Sequence, residues 1–452
     1  MGAAPECGRR RAGGRPRAPG TDGDGAVSGA IDIKGWCPGA RRPMLSGDGL
    51  IVRVRPHGGA LTVAALHALA EAASRFGNGQ IDLTRRANLQ IRGVSPETLA
   101  PLWELMTSLA LLDDSAEAEA IRNIAVNPLA GLDPAEVIDM RPVAAALELQ
   151  LAADKALWAL PAKFGFALDG GGRLPLTELA ADVRLAARSV DERRRIAVGL
   201  AGADAITWLG LVAVSDAAAV AANVARWVLQ HSPTRRAAAL PPQAIAALST
   251  ELGLDRSNET STPSVAMSRP RRGAISLTDE TCGVGLGAPF GRIDSAALER
   301  LAALLAASDV SEVRLSPWRT LYAAAGRDVA GRLAADAAEL GLIVDDADPL
   351  LRIDACTGAG GCPATRLATR QHARVLAADI ARTQFPGTLH VSGCAKGCAR
   401  SAAADVVLVG DADRYRVVRK GTPKSAPCGA LDPADIGITS QGLFQARESV
   451  HV

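Results

Sequence analysis

Residues 56–93, PHGGALTVAALHALAEAASRFGNGQIDLTRRANLQIRG, are echoed at residues 289–326 by PFGRIDSAALERLAALLAASDVSEVRLSPWRTLYAAAG. Each copy reads as a glycine-containing turn, an apolar-periodic helix and an alternating strand. An alternating stretch precedes each, LIVRVRP (50–56) and AISLTDE (274–280), and another periodic helix follows. Two β-α-β-α units in one chain predict a duplicated, pseudo-symmetric α+β architecture. GVGLGA (283–288) falls where the first copy has PHGG and reads as a turn; as a dinucleotide fingerprint it lacks an acidic residue at the required distance.

Strand alternation sorts side chains onto faces. Leu50, Val52 and Val54 share one face and Arg53 and Arg55 the other; Leu89 and Ile91 oppose Asn88, Gln90 and Arg92. The first copy is therefore expected to expose a basic, amide-rich face. The second would present Ser276, Thr278, Thr320 and Tyr322, without the charge. Such a face either meets water or binds an anion, and the asymmetry between copies favours a single anion site.

Near the C-terminus stand two cysteine pairs, CTGAGGC (Cys356, Cys362) and CAKGC (Cys394, Cys398). Four thiolates converging among glycine-rich loops suit a [4Fe-4S] cluster, whose sulfides need backbone N–H donors. The alternative is a four-cysteine zinc site, although zinc pairs favour two to four intervening residues and the first pair has five.

A 452-residue chain holds two to four domain-sized units, and 48% hydrophobic with 22% charged residues fits a soluble globular enzyme. A net charge of +2 with 3% aromatics argues against nucleic acid as a partner. The longest apolar stretch, LGLVAVSDAAAVAANVARWVL (209–229), is interrupted by Asp216, Asn223 and Arg226, so no membrane span is expected. Five arginines among Gly and Pro within the first 27 residues read as a disordered tail rather than a signal peptide, and the cysteine usage points to a reducing cytoplasm. SRPRRG (268–273) reads as a linker between halves.

The cysteine spacing, IDLTRRANLQIRG (81–93) and IRNIAVNPLAGLDP (121–134) together resemble the nitrite/sulfite reductase superfamily over about residues 45–445. GWCPGARRPMLSGDGLIVRVRP (35–56) and ALPAKFGFALDGGG (159–172) resemble its cobalamin-pathway branch, the precorrin-3B synthases. The resemblance implies two ferredoxin-like half-domains, each followed by a larger α/β domain. The expected division is a tail at 1–30, half-domains at 31–115 and 270–345, a sirohaem-type domain at 116–265 and a cluster-binding domain at 346–445.

It also implies that Cys356, Cys362, Cys394 and Cys398 ligate the cluster, with Cys398 matching the thiolate that bridges cluster and macrocycle iron in the reductases. Arg55, Arg122 and Lys163 match the cationic groups that bind the reductases' anionic substrate and deliver protons. The second lysine of sulfite reductases is here Gly165, which weakens sulfite reduction as the activity. Guanidinium groups bind carboxylates bidentately, so Arg53, Arg85, Arg86 and Arg92, with Asn88, Gln90 and Asn123, are candidates for holding a poly-carboxylate ring. Lys163, between apolar residues, reads either as a partly buried proton donor of lowered pKa or as a snorkelling surface lysine.

In the synthase branch the implied reaction is monooxygenation of precorrin-3A at C20 with γ-lactone formation, using O2 and electrons from a ferredoxin or NADH-linked reductase. That branch also implies a mononuclear non-haem iron, but the six histidines show no facial-triad spacing. The alternatives are a sirohaem-dependent nitrite or sulfite reductase and a non-catalytic iron-sulfur carrier or sensor.

Overall fold

The computed structural model describes residues 37–202, 205–254 and 271–445. The expected tail, Cys7, His451 and residues 268–270 of the linker lie outside the described residues. The first repeat folds as β1 (Met44–Ser46), β2 (Gly49–Val54), β3 (Ala60–Thr62), α1 (Val63–Phe76), β4 (Gln80–Leu83), β5 (Leu89–Val94) and α2 (Pro96–Ser108). Thr62 caps α1 by accepting the Ala65 N–H, worth about 1 kcal/mol, and the helix buries Leu66, Leu69, Ala70 and Ala73.

After α3 (Ala116–Ile121) and β6 (Ile124–Val126) come α4 (Arg141–Ala153), β7 (Phe166–Asp169), β8 (Val183–Val190), β9 (Arg193–Ala201), β10 (Ile206–Val212), α5 (Ala217–His231) and α6 (Pro242–Glu251). The second repeat contains β11 (Gly273–Ser276), β12 (Thr281–Gly287), β13 (Arg292–Asp294), α7 (Ser295–Ala307), β14 (Glu312–Leu315), β15 (Thr320–Gly326) and α8 (Arg327–Glu339). The chain ends with β16 (Ile353–Ala355), α9 (Thr369–Arg382), β17 (Leu389–Ser392), β18 (Ala404–Asp411), β19 (Arg414–Gly421) and β20 (Gly429–Leu431).

These strands form four five-stranded sheets among the described residues. The repeats exchange strands: the first sheet runs β1-β2-β5-β4-β13 and its counterpart β11-β12-β15-β14-β3, so each borrows one short strand from the other copy. Ile293 sits opposite Ile81, and Leu61 opposite Val313. Helices α1 and α7 pack together beneath, and the two half-domains share one hydrophobic core.

The duplication is as expected, but its register in the second copy is not. AISLTDE supplies the edge strand β11, whereas the strand equivalent to β2 is β12, which takes in most of the glycine-rich stretch read as a turn. With Gly283, Gly285 and Gly287 paired along β15, that stretch is no dinucleotide-binding turn.

The other two sheets, β10-β9-β8-β7-β6 and β16-β17-β18-β19-β20, each combine a parallel run of three strands with antiparallel hairpins and carry separate cores. Adjacent parallel strands place functional loops at one end. Cys356 directly follows β16 and Cys394 follows β17 after Gly393, which brings the two cysteine pairs together. At the N-terminal ends of β6 and β7 lie Arg122, Asn123 and Lys163.

Candidate substrate and cluster site

The arginine face of β2 is buried, not exposed as alternation suggested. Arg53 and Arg55 retain 7% and 2% of their accessible surface, because residues 37–40 and the end of α3 cover them. Arg55 donates to Asn123 Oδ1 at 2.8 Å and to the Pro38 carbonyl at 3.4 Å, and its Nε lies 3.4 Å from Glu119. Burial, with Arg53 and Arg122 nearby, pushes Arg55 down to about 10, so it stays cationic at neutral pH.

Arg53 is less fully matched: its side chain bonds Cys37, but its Nε and Nη1, like Arg55 Nε, are buried without a hydrogen-bond partner. Burial also lowers its pKa, against the opposing influence of nearby Cys37. A buried guanidinium with unmatched donors is costly unless an anion completes it.

Arg122 is gripped bidentately by Asp113 at 2.9 and 2.7 Å and donates to the Arg55 carbonyl at 2.8 Å. Asn123 holds the next loop through the Ala120, Ala162 and Phe164 carbonyls. Arg86, its pKa lowered by burial, donates to the Lys163 carbonyl at 3.1 Å. Asn88 is buried at the end of the TRRAN turn, and half-buried Gln90 pairs opposite Arg53. The structure thus gathers Arg53, Arg55, Arg86, Arg122, Asn123 and Lys163 around one region.

Three candidates differ from the reading of the sequence in exposure or partners. The Lys163 side chain is exposed, so the burial behind the buried proton-donor reading is absent. Arg85 is 55% exposed and bonds Asp354 of the last sheet at 2.5 Å. Arg92 is engaged by Asp48 and Asp82 and donates to the Gly361 carbonyl beside Cys362.

The equivalent region of the second copy is closed by the chain itself. Arg53 and Arg55 correspond to Gly285 and Gly287, as their pairing with Gln90 and Tyr322 in the aligned strands requires. A Cβ at Gly285 would collide with the Arg271 carbonyl, and one at Gly287 would meet Arg272 Nε at 2.8 Å. Arg271 lies over the Trp318 ring at 4.5 Å and its carbonyl accepts from Tyr322 at 2.8 Å, while Arg272 bonds Asp346 at 2.6 Å. The linker's arginines thus occupy, over β12, the space that Arg53 and Arg55 fill over β2.

At the cluster end, the Gly393 N–H donates to Cys356 Sγ at 3.2 Å, the type of contact a thiolate–cluster sulfur requires. Thr369 Oγ1 donates to the Cys356 carbonyl at 2.8 Å, and Gly358, at φ 72°, leaves no room for a side chain against that threonine. Burial pushes the Cys362 and Cys398 thiols up, and each also feels the charge of the other cysteines. Among the described residues no three His, Cys, Asp or Glu gather closely enough for a single metal ion. The mutual influence of the thiols on Cys362 and Cys398 shows that the two cysteine loops lie beside one another.

Sequence reasoning missed the acids that fix this region. Glu119, 2% exposed, accepts from the Ala40 and Arg41 amides as well as facing Arg55. Asp82 binds Arg92, Arg292 and Arg370. A carboxylate two residues before IRN, and one between Ile81 and Leu83, were the available signals.

Two family models match the chain: the nitrite/sulfite reductase ferredoxin-like half domain over residues 42–109, and the nitrite and sulphite reductase 4Fe-4S domain over residues 117–315. The second match ends before Cys356. The chain belongs to the nitrite/sulfite reductase superfamily, with that superfamily's α+β fold. Within it, the chain is 32% identical over 408 residues to a precorrin-3B synthase of Sinorhizobium sp, covering 89% of this chain and 86% of the relative. A ferredoxin–nitrite reductase of Synechococcus elongatus is 28% identical over 408 residues, with 82% and 77% covered. The structure of the Mycobacterium tuberculosis NirA protein shares the fold at a TM-score of 0.68 and 20% identity, over 86% of this chain and 79% of that one.

Proposed function

We propose that this chain is a precorrin-3B synthase, a monooxygenase that hydroxylates precorrin-3A at C20 and closes a ring A acetate into a γ-lactone in aerobic cobalamin biosynthesis. The observation that carries the reading is the 32% identity to such an enzyme spread over 89% of the chain. In the balanced reaction one atom of O2 enters a C–H bond, and the other leaves as water with two protons and two electrons from an external donor.

Arg53 and Arg86 bind the ring's carboxylates, and the unmatched Nε and Nη1 of Arg53 supply donors for one of them. Arg55 and Arg122, fixed by Glu119, Asn123 and Asp113, act as permanent positive charge above the ring rather than as proton donors. Lys163, open to solvent, is the group that exchanges protons. Gly165 also supports this reading: a Cβ there would meet nothing closer than 3.6 Å, so packing does not forbid the second lysine of sulfite reductases.

A [4Fe-4S] cluster held by Cys356, Cys362, Cys394 and Cys398 supplies one-electron transfer from the donor. No described trio of residues fits the mononuclear iron that the synthase branch implies. Because GVGLGA is a strand, the donor is a separate ferredoxin or NADH-linked reductase, and the setting is the cytoplasm.

The second reading, a sirohaem-dependent nitrite reductase, rests on the 28% identity over 82% of the chain. An optical spectrum of freshly isolated protein separates the two. The synthase shows iron-sulfur absorption without a stoichiometric chlorin-like chromophore; a full complement of sirohaem overturns the proposal.

A further inference from the structure

The turn between β1 and β2, Ser46-Gly47-Asp48-Gly49, lies on the first cysteine loop. Ser46 Oγ donates to the Gly361 carbonyl at 3.0 Å, and Arg92 Nη2 donates to the same oxygen at 3.2 Å. Gly361 directly precedes Cys362, so two donors from the first half-domain fix the peptide leading into a proposed ligand. Approach is close: a Cβ on Gly47 would come 2.9 Å from Pro363 Cδ and 3.2 Å from the Cys362 carbonyl carbon.

Arg92 is itself tightly held. Asp48 accepts from its Nε at 2.8 Å and its Nη2 at 2.7 Å, and Asp82 lies 3.3 Å from Nη1. Its side chain retains 5% of its surface, and that of Asp48 8%. Asp82 also accepts from Arg292 at 2.7 and 2.9 Å and from Arg370 at 3.3 Å. Arg370 follows Thr369, whose hydroxyl holds the Cys356 carbonyl. Both cysteines of the first pair are therefore tied to a buried ion network rooted in β4, β5 and the β1–β2 turn, more than 250 residues away in sequence.

We propose that Ser46, Asp48 and Arg92 form a clamp that positions Cys362, making the N-terminal half-domain a working part of the cluster site. The clamp rests on the reading of the four cysteines as cluster ligands. Arg92 is a positioning residue: it touches the peptide before the ligand, not the ligand sulfur. Partners that orient a metal ligand typically alter metal retention by about ten- to a hundredfold when removed. A buried guanidinium beside the cluster also favours its more negative, reduced form.

The test uses the full chain, reconstituted anaerobically with iron and sulfide, as wild type, S46A, G47A, R92Q and D48N. Three quantities are read: the rate of cluster loss to an iron chelator, the paramagnetic spectrum of the reduced cluster, and its midpoint potential. Cluster loss is expected to speed up several-fold in S46A and G47A and by about tenfold or more in R92Q. The potential shifts negative in R92Q, where a positive charge is lost, and positive in D48N. Loss rates within twofold of wild type in S46A, G47A and R92Q, with unchanged spectra and potentials, overturn the clamp. Should R92Q fail to fold, S46A and G47A decide, since neither alters charge. A wild-type chain that takes up no iron and sulfide overturns the cluster reading and the clamp with it, whereas normal wild-type uptake with indifferent variants overturns the clamp alone.

Discussion

Asp82 illustrates how single residues set the energetics here. Burial would raise its pKa, but the bond from Arg292 and the charges of Arg370 and Arg92 hold it down at about 2. A carboxylate depressed from about 4 to about 2 contributes roughly 2 kcal/mol of stability above pH 4. That contribution is lost as pH falls from about 4 through about 2. Chemical denaturation of wild type and Asp82→Asn should therefore differ most above pH 4, with the gap closing toward pH 2; a gap independent of pH would contradict the assignment.

His390 behaves in the opposite sense to a salt-bridged histidine. Burial, opposed by Asp354 and reinforced by Arg400 and Arg85, lowers it to about 4, so it is neutral when folded. The unfolded chain takes up a proton near pH 6.5 that the folded chain refuses, and stability should fall as pH drops from about 6.5 to about 4. His390→Leu is expected to flatten that part of the profile; an unchanged slope would rule the histidine out as its source.

Arg53, with unmatched buried donors, predicts a trade-off. Arg53→Leu should leave thermal stability unchanged or raise it by about 1 kcal/mol, because a buried charge with two unbonded donors is removed. The same change should weaken precorrin-3A binding by about tenfold or more, with iron and sulfide content unaltered. A variant that loses stability and keeps affinity would place the guanidinium in a purely structural role. Alternation in the sequence located Arg53 and Arg55 on one face but could not say what covers it. Nor could it show that Arg92 pairs with Asp48 and Asp82, which become its neighbours only when β1, β2, β4 and β5 assemble.

At the level of elements, β12 is the informative case. Although Val284 and Leu286 recur at strand period, its glycines and its place opposite PHGG read as a turn. They are glycine for a spatial reason: Arg271 and Arg272 lie on the strand where the first copy carries Arg53 and Arg55. Gly285→Val should therefore cost about 1–3 kcal/mol, read as a lowered melting temperature, through displacement of the 271–272 backbone. Tolerance of valine there would mean the linker does not close the second region. The repeat itself was legible, since α1 and α7 keep their apolar spacing and both begin at a polar N-cap, Thr62 and Asp294. Strand exchange was not, because three-residue strands such as β3 and β13 carry too little pattern to reveal their partners.

Across the whole molecule, exchanged strands and a common core tie the two half-domains into one cooperative unit. Calorimetry of Ile293→Ala, which truncates the strand lent to the first sheet, should show both half-domains destabilised together by about 2–5 kcal/mol. Separate transitions, with only the second half-domain affected, would contradict a shared core. The same assembly sets the candidate site: arginines from the first third, a linker that closes the twin region, and thiols at the ends of β16 and β17. Incubation of the anaerobically isolated protein with precorrin-3A, a reductant and isotopically labelled O2 tests this account most directly. It predicts one labelled oxygen atom in the hydroxylated lactone product; product without label, or efficient six-electron reduction of nitrite in its place, would contradict it.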